Sequence, residues 1–274
     1  MEIVEKYQIR GVPGHANRTE FDGRRVDFWS PANPTHLLVA HDGQNILDRR
    51  TATRHKTWDI ARTSIRIAQE CGITPPAIIA VFHSRTKEDP NGRYKDLTPE
   101  RPYKEGVKAI IPPGYSPLDL DELRGDAYQR QITESIIPTI TSSLDFTPTR
   151  DRAALMGSSM GGLATLYGVG LYPEVYGTAL SFSPHWVIGE NPLVDALLDA
   201  LPAPDSTKLW MSRGTKGLDG TYEPFQSYAD ARARARGWID GENMLTQVFE
   251  RTSHSEKSWA RYADQAMRFW LEQR

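Results

Sequence analysis

A mostly parallel β-sheet with helices on both faces is the fold class this sequence predicts, an α/β protein. Three observations point there. Strand-like and helix-like segments alternate along most of the chain. Several strand candidates are short, wholly apolar runs, which suits strands buried on both faces. Helix candidates stand between them, and two run into a glycine stop signal, Gly72 and Gly237. Alternation of this kind implies parallel strands joined by helical crossovers.

The elements follow in order. Glu2 to Arg10 and Arg24 to Ser30 read as strands, the second alternating Val26 and Phe28 against Arg25, Asp27 and Trp29. His36 to Ala40 is an apolar run entering His41-Asp42-Gly43. Trp58 to Glu70 has helical spacing at Ile60, Ser64, Ile67 and Ala68. Ala77 to Phe82 is another buried strand. From 84 to 117 the chain holds Pro90, Pro99, Pro102, Pro112, Pro113 and Pro117 with Gly92, Gly106 and Gly114, which predicts a long irregular insertion. Ala127 to Leu144 reads as a helix kinked or broken by Pro138.

Alternation then resumes. Strands are predicted over Arg152 to Met156, Thr178 to Phe182, Lys208 to Ser212 and Asn243 to Glu250. Helices are predicted over Gly162 to Gly170, Leu193 to Leu201, Phe225 to Arg236 and Ser255 to Gln273. The basic run Ala231 to Arg236 is read as a helix C-terminus whose arginines complement the dipole.

Composition narrows the function classes. Hydrophobic residues at 39% and charged residues at 25% are ordinary for a globular chain. A net charge of −2 gives no overall electrostatic reason to bind nucleic acid or anionic lipid, so neither partner is expected. One cysteine, Cys71, can form no internal disulfide and no zinc site by itself. The first residues lack the apolar core of a secretory signal, and no run approaches a membrane span. The expectation is a soluble cytoplasmic protein.

The chemistry is concentrated in Leu155-Met156-Gly157-Ser158-Ser159-Met160-Gly161-Gly162-Leu163, a G-x-S-x-G pattern between a strand and a helix. A nucleophile on such a turn is forced into a strained conformation, and its flanking residues must be small. Gly157 and Gly161 supply that space around Ser159. Ser158 is the weaker candidate, because Met156 would stand where the turn needs glycine. A serine hydroxyl needs a base, and the base an orienting acid.

In sheet hydrolases with this turn the chain order is Ser, acid, His. Asp219, the first carboxylate after the strand from Lys208, is the acid candidate, with Glu223 as fallback. His254, after the next strand, is the base candidate. His185 precedes every good acid and reads as pocket lining. The amides of Met160 and Gln44 are the expected oxyanion donors, with Gly43 permitting an unusual turn before Gln44. Asn45, Trp58 and Trp186 complete the residues expected at the substrate pocket.

These residues resemble the Putative esterase family of α/β-hydrolases, which includes enterochelin esterase-like and esterase D-like enzymes. The resemblance is carried by His41 to Asn45, Gly125 to Tyr128, Gly157 to Gly162, Ser181 to Pro184, Gly214-Thr215 with Asp219, and His254 with Trp259. It implies one α/β-hydrolase domain over 1–274, with the insertion near 84–124 deciding substrate choice. It implies an ester hydrolase with Ser159 as nucleophile, Asp219 as acid and His254 as base, acting on a small-molecule ester. No metal or organic cofactor is implied. The same triad would also serve an acyltransferase or thioesterase, and an inactive member of the fold could act as a binding protein. Nothing in the sequence fixes the oligomeric state.

Overall fold

The computed structural model describes residues 1–111 and 119–272. Among the described residues, nine strands join one sheet: β1 (Glu5–Tyr7), β2 (Ala16–Phe21), β3 (Arg24–Trp29), β4 (Leu37–Ala40), β5 (Ala77–Val81), β6 (Ala153–Ser158), β7 (Thr178–Phe182), β8 (Lys208–Lys216) and β9 (Met244–Ser253). Their order is β1-β2-β3-β5-β4-β6-β7-β8-β9. The pairs from β1 to β3, and β3 with β5, are antiparallel. All pairs from β5 through β4 to β9 are parallel. This is the α/β-hydrolase architecture that the resemblance implied.

The central strands β4 to β7 are buried along their whole length, and mostly apolar, because both their faces are covered. Successive residues of β4 go to opposite layers: Leu37 and Val39 join one core, Leu38 and Ala40 the other. Leu155 against Ala154 and Met156 in β6 repeats the split. One layer is made by α1 (Ile60–Glu70) and α9 (Glu256–Leu271), through Ile60, Ile67, Met267 and Trp270. The other is made by the insertion and the later helices, through Leu97, Leu163, Leu193 and Ala229.

Sequence and structure differ at particular places. β2 was not anticipated, because ANRTEF carries two charged residues. Arg18 is nonetheless buried, its guanidinium bonded to Asp27 and Asp48. The predicted irregular insertion contains α2 (Gly92–Leu97) and α3 (Glu100–Lys104). Pro99 and Pro102 sit at the start of α3, where a missing N–H removes no helix bond. Asp96, fully buried, accepts from Arg24 at 2.8 Å and from the amide of Ser84 at 2.8 Å, anchoring α2 to the start of β3. Pro112, Pro113, Gly114 and Pro117 lie outside the described residues.

The helix expected to break at Pro138 runs on in three segments: α4 (Gly125–Gln131), a π turn (Ile132–Ile136) and α5 (Ile137–Ser143). The wider turn places Pro138 in the first turn of a new α-helical segment, which tolerates proline. Beyond it stand α6 (Met160–Leu171), α7 (Glu190–Ala200) and α8 (Glu223–Ala235). The arginine-rich end of α8 pairs with α7: Arg232 meets Asp199 at 2.6 Å and Arg236 meets Asp199 at 3.0 Å. Gln273 lies beyond the described residues, and α9 ends at Leu271. No helix among the described residues is long and apolar enough to cross a membrane.

This topology also positions a site. β4 lies between β5 and β6, so the chain leaves its two sides in opposite directions. Loops at the carboxyl ends of such strands diverge and open a crevice. The loops after β4 and β6 carry Asp42 to Asn45 and Ser159.

Candidate active site

Ser159 is the residue between β6 and α6. Its backbone stands at φ 58, ψ −122, a conformation that side-chain-bearing residues rarely hold. The surroundings enforce it. The Ser159 amide donates to Phe182 O at 2.9 Å, and its carbonyl accepts from Gly162 at 2.9 Å and from His185 at 3.2 Å. Gly157 is required by close approach: a Cβ there would stand 2.4 Å from the carbonyl oxygen of Gly161. Met160 opens α6, where the first N–H groups have no partner within the helix.

Asp219 lies in the 3₁₀ turn Gly217–Tyr222 after β8 and is fully buried. Its Oδ2 accepts from the Gly214 amide at 2.8 Å and from Ser183 Oγ at 3.0 Å. Its Oδ1 is 2.6 Å from His254 Nδ1. Gly214 is the residue that allows this, since a Cβ there would meet Asp219 Oδ2 at 2.7 Å and Thr252 O at 2.4 Å. The β8–β9 register shifts between Gly214 and Lys216, which lets the two strand ends diverge around the carboxylate.

His254 follows β9 directly. Ser255 then caps α9, its side chain accepting from the Ser258 amide, which fixes where the chain turns. One turn into α9, the Trp259 ring packs edge-on against the His254 imidazole, centroids 4.9 Å apart. The indole N–H of Trp259 donates to Ser183 Oγ at 3.0 Å. Trp259, Ser183, Asp219 and His254 therefore form one connected chain of contacts.

Ser159, His254, Met160, Gln44, Asn45 and His185 line one cavity of 310 Å³. Ser158 also reaches its wall. His185 is 3% exposed, and burial, then the neighbouring His254, hold its imidazole down at about 3. It is neutral in the working range, with Tyr222 OH bonded to its Nδ1. Asn45 Oδ1 accepts from the Thr53 amide at 2.8 Å, bracing the turn beneath Gln44.

Three expectations need correction. Trp186 is fully buried and donates to Gln226 Oε1 at 3.1 Å, away from the cavity lining. Trp58 is 3% exposed and packs behind Trp259, centroids 5.4 Å apart, so it supports the wall without forming it. The unusual turn conformation belongs to Asp42, at φ 52, ψ 47. Gly43 serves a different need, because a Cβ on it would meet Ala80 backbone at 2.5 Å. Glu223, the fallback acid, is exposed on the first turn of α8 and accepts from Ser227 at 3.1 Å.

The insertion supplies residues that sequence reasoning missed. Arg85, Arg93 and Tyr94 line the cavity. Arg93 donates from Nε and Nη2 to the two oxygens of Asp42, both at 2.7 Å. Burial pushes the Asp42 carboxyl up, but the charge and hydrogen bonds of Arg93, with smaller help from His83 and Gln44, together hold the group down at about 2. Nothing in the sequence signals a pair so far apart in the chain. Among the described residues, no group of three or more His, Cys, Asp or Glu side chains could hold a metal ion.

Comparison with known proteins gives a family and a fold. The family described as Putative esterase matches residues 24–264. No curated protein matches the chain significantly. Among solved structures, the chain resembles the enterobactin esterase of Shigella flexneri, solved with enterobactin, at a TM-score of 0.67 and 15% identity. That match covers 96% of this chain but 60% of the other, so the chain spans less than two thirds of that enzyme. It also resembles the enterobactin and salmochelin hydrolase IroE, at a TM-score of 0.62 and 20% identity, covering 94% and 96% of the two chains. The BES protein of Bacillus cereus superposes at a TM-score of 0.62 with 16% identity, covering 98% and 99%. At such identities the likeness is one of fold.

Proposed function

This chain belongs to the Putative esterase family, and from that premise we propose that it is a serine hydrolase of carboxylic esters working through an acyl-enzyme. The observation that carries the proposal is the strained Ser159 at the head of α6, sharing a cavity with a histidine whose far nitrogen is tied to a buried aspartate.

The chemistry follows from donor and acceptor capacity. A carboxylate only accepts, so in the Asp219 pair it is His254 Nδ1 that carries the hydrogen. Nε2 is then free to take the Ser159 proton as Oγ attacks the ester carbonyl. The imidazolium that forms is stabilised by Asp219. The carbonyl oxygen, now negative, is met by the amides of Met160 and Gln44. His254 gives its proton to the leaving alkoxide, and the acyl group remains on Ser159. Water repeats the attack, with His254 again as base, and releases the acid.

The substrate class is a carboxylic ester small enough to place its carbonyl in a cavity of 310 Å³. The enterobactin named for the structural neighbours puts siderophore esters first among candidates, with feruloyl and simple alkyl esters beside them. The test is a fluorophosphonate probe followed by peptide mapping, run beside a panel of those esters. Labelling at Ser159 with turnover of at least one ester class supports the proposal. Folded protein that takes no label and turns over no ester removes it.

A further inference from the structure

Asp42 brings a buried negative charge into the wall of the cavity that holds Ser159. Its Oδ2 lies 3.3 Å from where a Cβ on Gly161 would stand, over the first turn of α6. That is the wrong sign of charge for a reaction whose transition state places a negative oxygen at the same helix start. Beside the developing oxyanion, an unpaired carboxylate on a buried wall would raise the barrier. Asp42 also holds a left-handed backbone, φ 52, ψ 47, which a residue with a side chain keeps only when its surroundings fix it. Two residues further on is Gln44.

One group answers both problems. Arg93, from α2 of the insertion, grips both Asp42 oxygens at 2.7 Å in a planar fork. The Arg93 side chain is 21% exposed and that of Asp42 9%, so water screens the pair weakly. We infer that Arg93 is a positioning residue for the oxyanion turn, locking Asp42 in its left-handed conformation and cancelling the carboxylate charge beside the developing oxyanion. The insertion is thereby part of the catalytic geometry as well as a wall of the pocket. This inference rests on the proposed Ser159 chemistry.

The experiment compares wild type, Arg93→Gln, Arg93→Lys and the double variant Asp42→Asn/Arg93→Gln on one ester, measuring kcat and KM separately. Arg93→Gln is expected to lower kcat by about 30-fold or more while KM moves less than about threefold, as for loss of an oxyanion donor. The double variant, in which no charge is left unpaired, should regain about tenfold in kcat over Arg93→Gln. Arg93→Lys keeps the charge without the fork and should fall between wild type and Arg93→Gln. A structural loss alone would lower the double variant further, so recovery separates the two roles. The inference is overturned if Arg93→Gln, or Arg93→Lys where the former does not fold, retains kcat within about twofold of wild type. It is overturned equally if the double variant is no faster than Arg93→Gln. Wild type that neither hydrolyses esters nor labels at Ser159 defeats the underlying reading and this one together; an active wild type with indifferent Arg93 variants defeats this one alone.

Discussion

The Ser183 hydroxyl donates to Oδ2 of Asp219 at 3.0 Å while accepting the Trp259 indole N–H at 3.0 Å. With the Gly214 amide, it fixes the carboxylate so that the other oxygen faces His254. The orientation of this carboxylate is thus set by three elements: β7 through the residue that follows it, β8 through Gly214, and α9 through Trp259. Each contact acts on a fully buried group, where an unmade hydrogen bond is expensive.

Ser183→Ala should therefore lower kcat by about tenfold, with KM nearly unchanged, because Asp219 loses one of the bonds that aim it. The Trp259 N–H would be left without this partner, and the melting temperature should drop by about 2–6 °C. Steady-state kinetics and a thermal melt check both. Unchanged kcat in the folded variant would show that the Gly214 amide suffices.

Ser159→Ala should reduce kcat by on the order of 10⁴-fold or more and leave the melting temperature within a few degrees of wild type or above it. The rise is possible in sign because alanine does not relieve the positive φ but removes a polar atom from a buried turn. Rates comparable with wild type would mean the hydroxyl at 159 is not the attacking group.

Asp219→Asn should lower kcat by roughly 10⁴-fold by favouring the wrong imidazole tautomer. Glu223→Gln, on the exposed turn of α8, should stay within about twofold of wild type. The reverse pattern would transfer the acid's role to Glu223.

Acid should weaken the fold through buried histidines. Burial first holds His36 and His41 down at about 4 and His185 at about 3; neighbouring cationic or imidazole groups add to it at His36 and His185, while the Asp42 carboxylate opposes it at His41. In the unfolded chain each titrates near 6.5. Below that value the unfolded state binds more protons than the native one, so stability is complete above about pH 6.5 and is lost as pH falls toward 4 and then 3. His36→Gln, away from the cavity against Trp270, removes one of these groups. Melting temperatures measured from about pH 7 to pH 4.5 should decline less steeply in the variant than in wild type. Parallel declines would show that His36 takes up its proton in the folded protein.

What the sequence made legible is what depends on local pattern. Thr178 to Phe182 reads as a strand from its place in the strand–helix alternation, and the structure has β7 over the same residues. The glycines around Ser159 announce a tight turn because only small residues fit there. Where polarity is neutralised across the chain, the pattern misleads. Arg18 makes β2 look like a surface segment, though its partners Asp27 and Asp48 bury it. Trp58 and Trp186 could not be sorted into core or pocket, since an aromatic residue says nothing of the direction in which its ring points. Arg93 and Asp42 meet only because the insertion folds back over the turn after β4, and no spacing rule reports that.

The position of β9 has a consequence for how the protein would fail. Among the described residues it pairs in the sheet only with β8, at the outermost place, and several of its residues face solvent. His254 is mounted at its end, whereas Ser159 stands on a turn fed by the fully enclosed β6. Fraying of a marginal strand takes less free energy than melting the centre. Warming would therefore detach His254 while the rest of the molecule stays folded, and loss of the proposed activity would run ahead of denaturation.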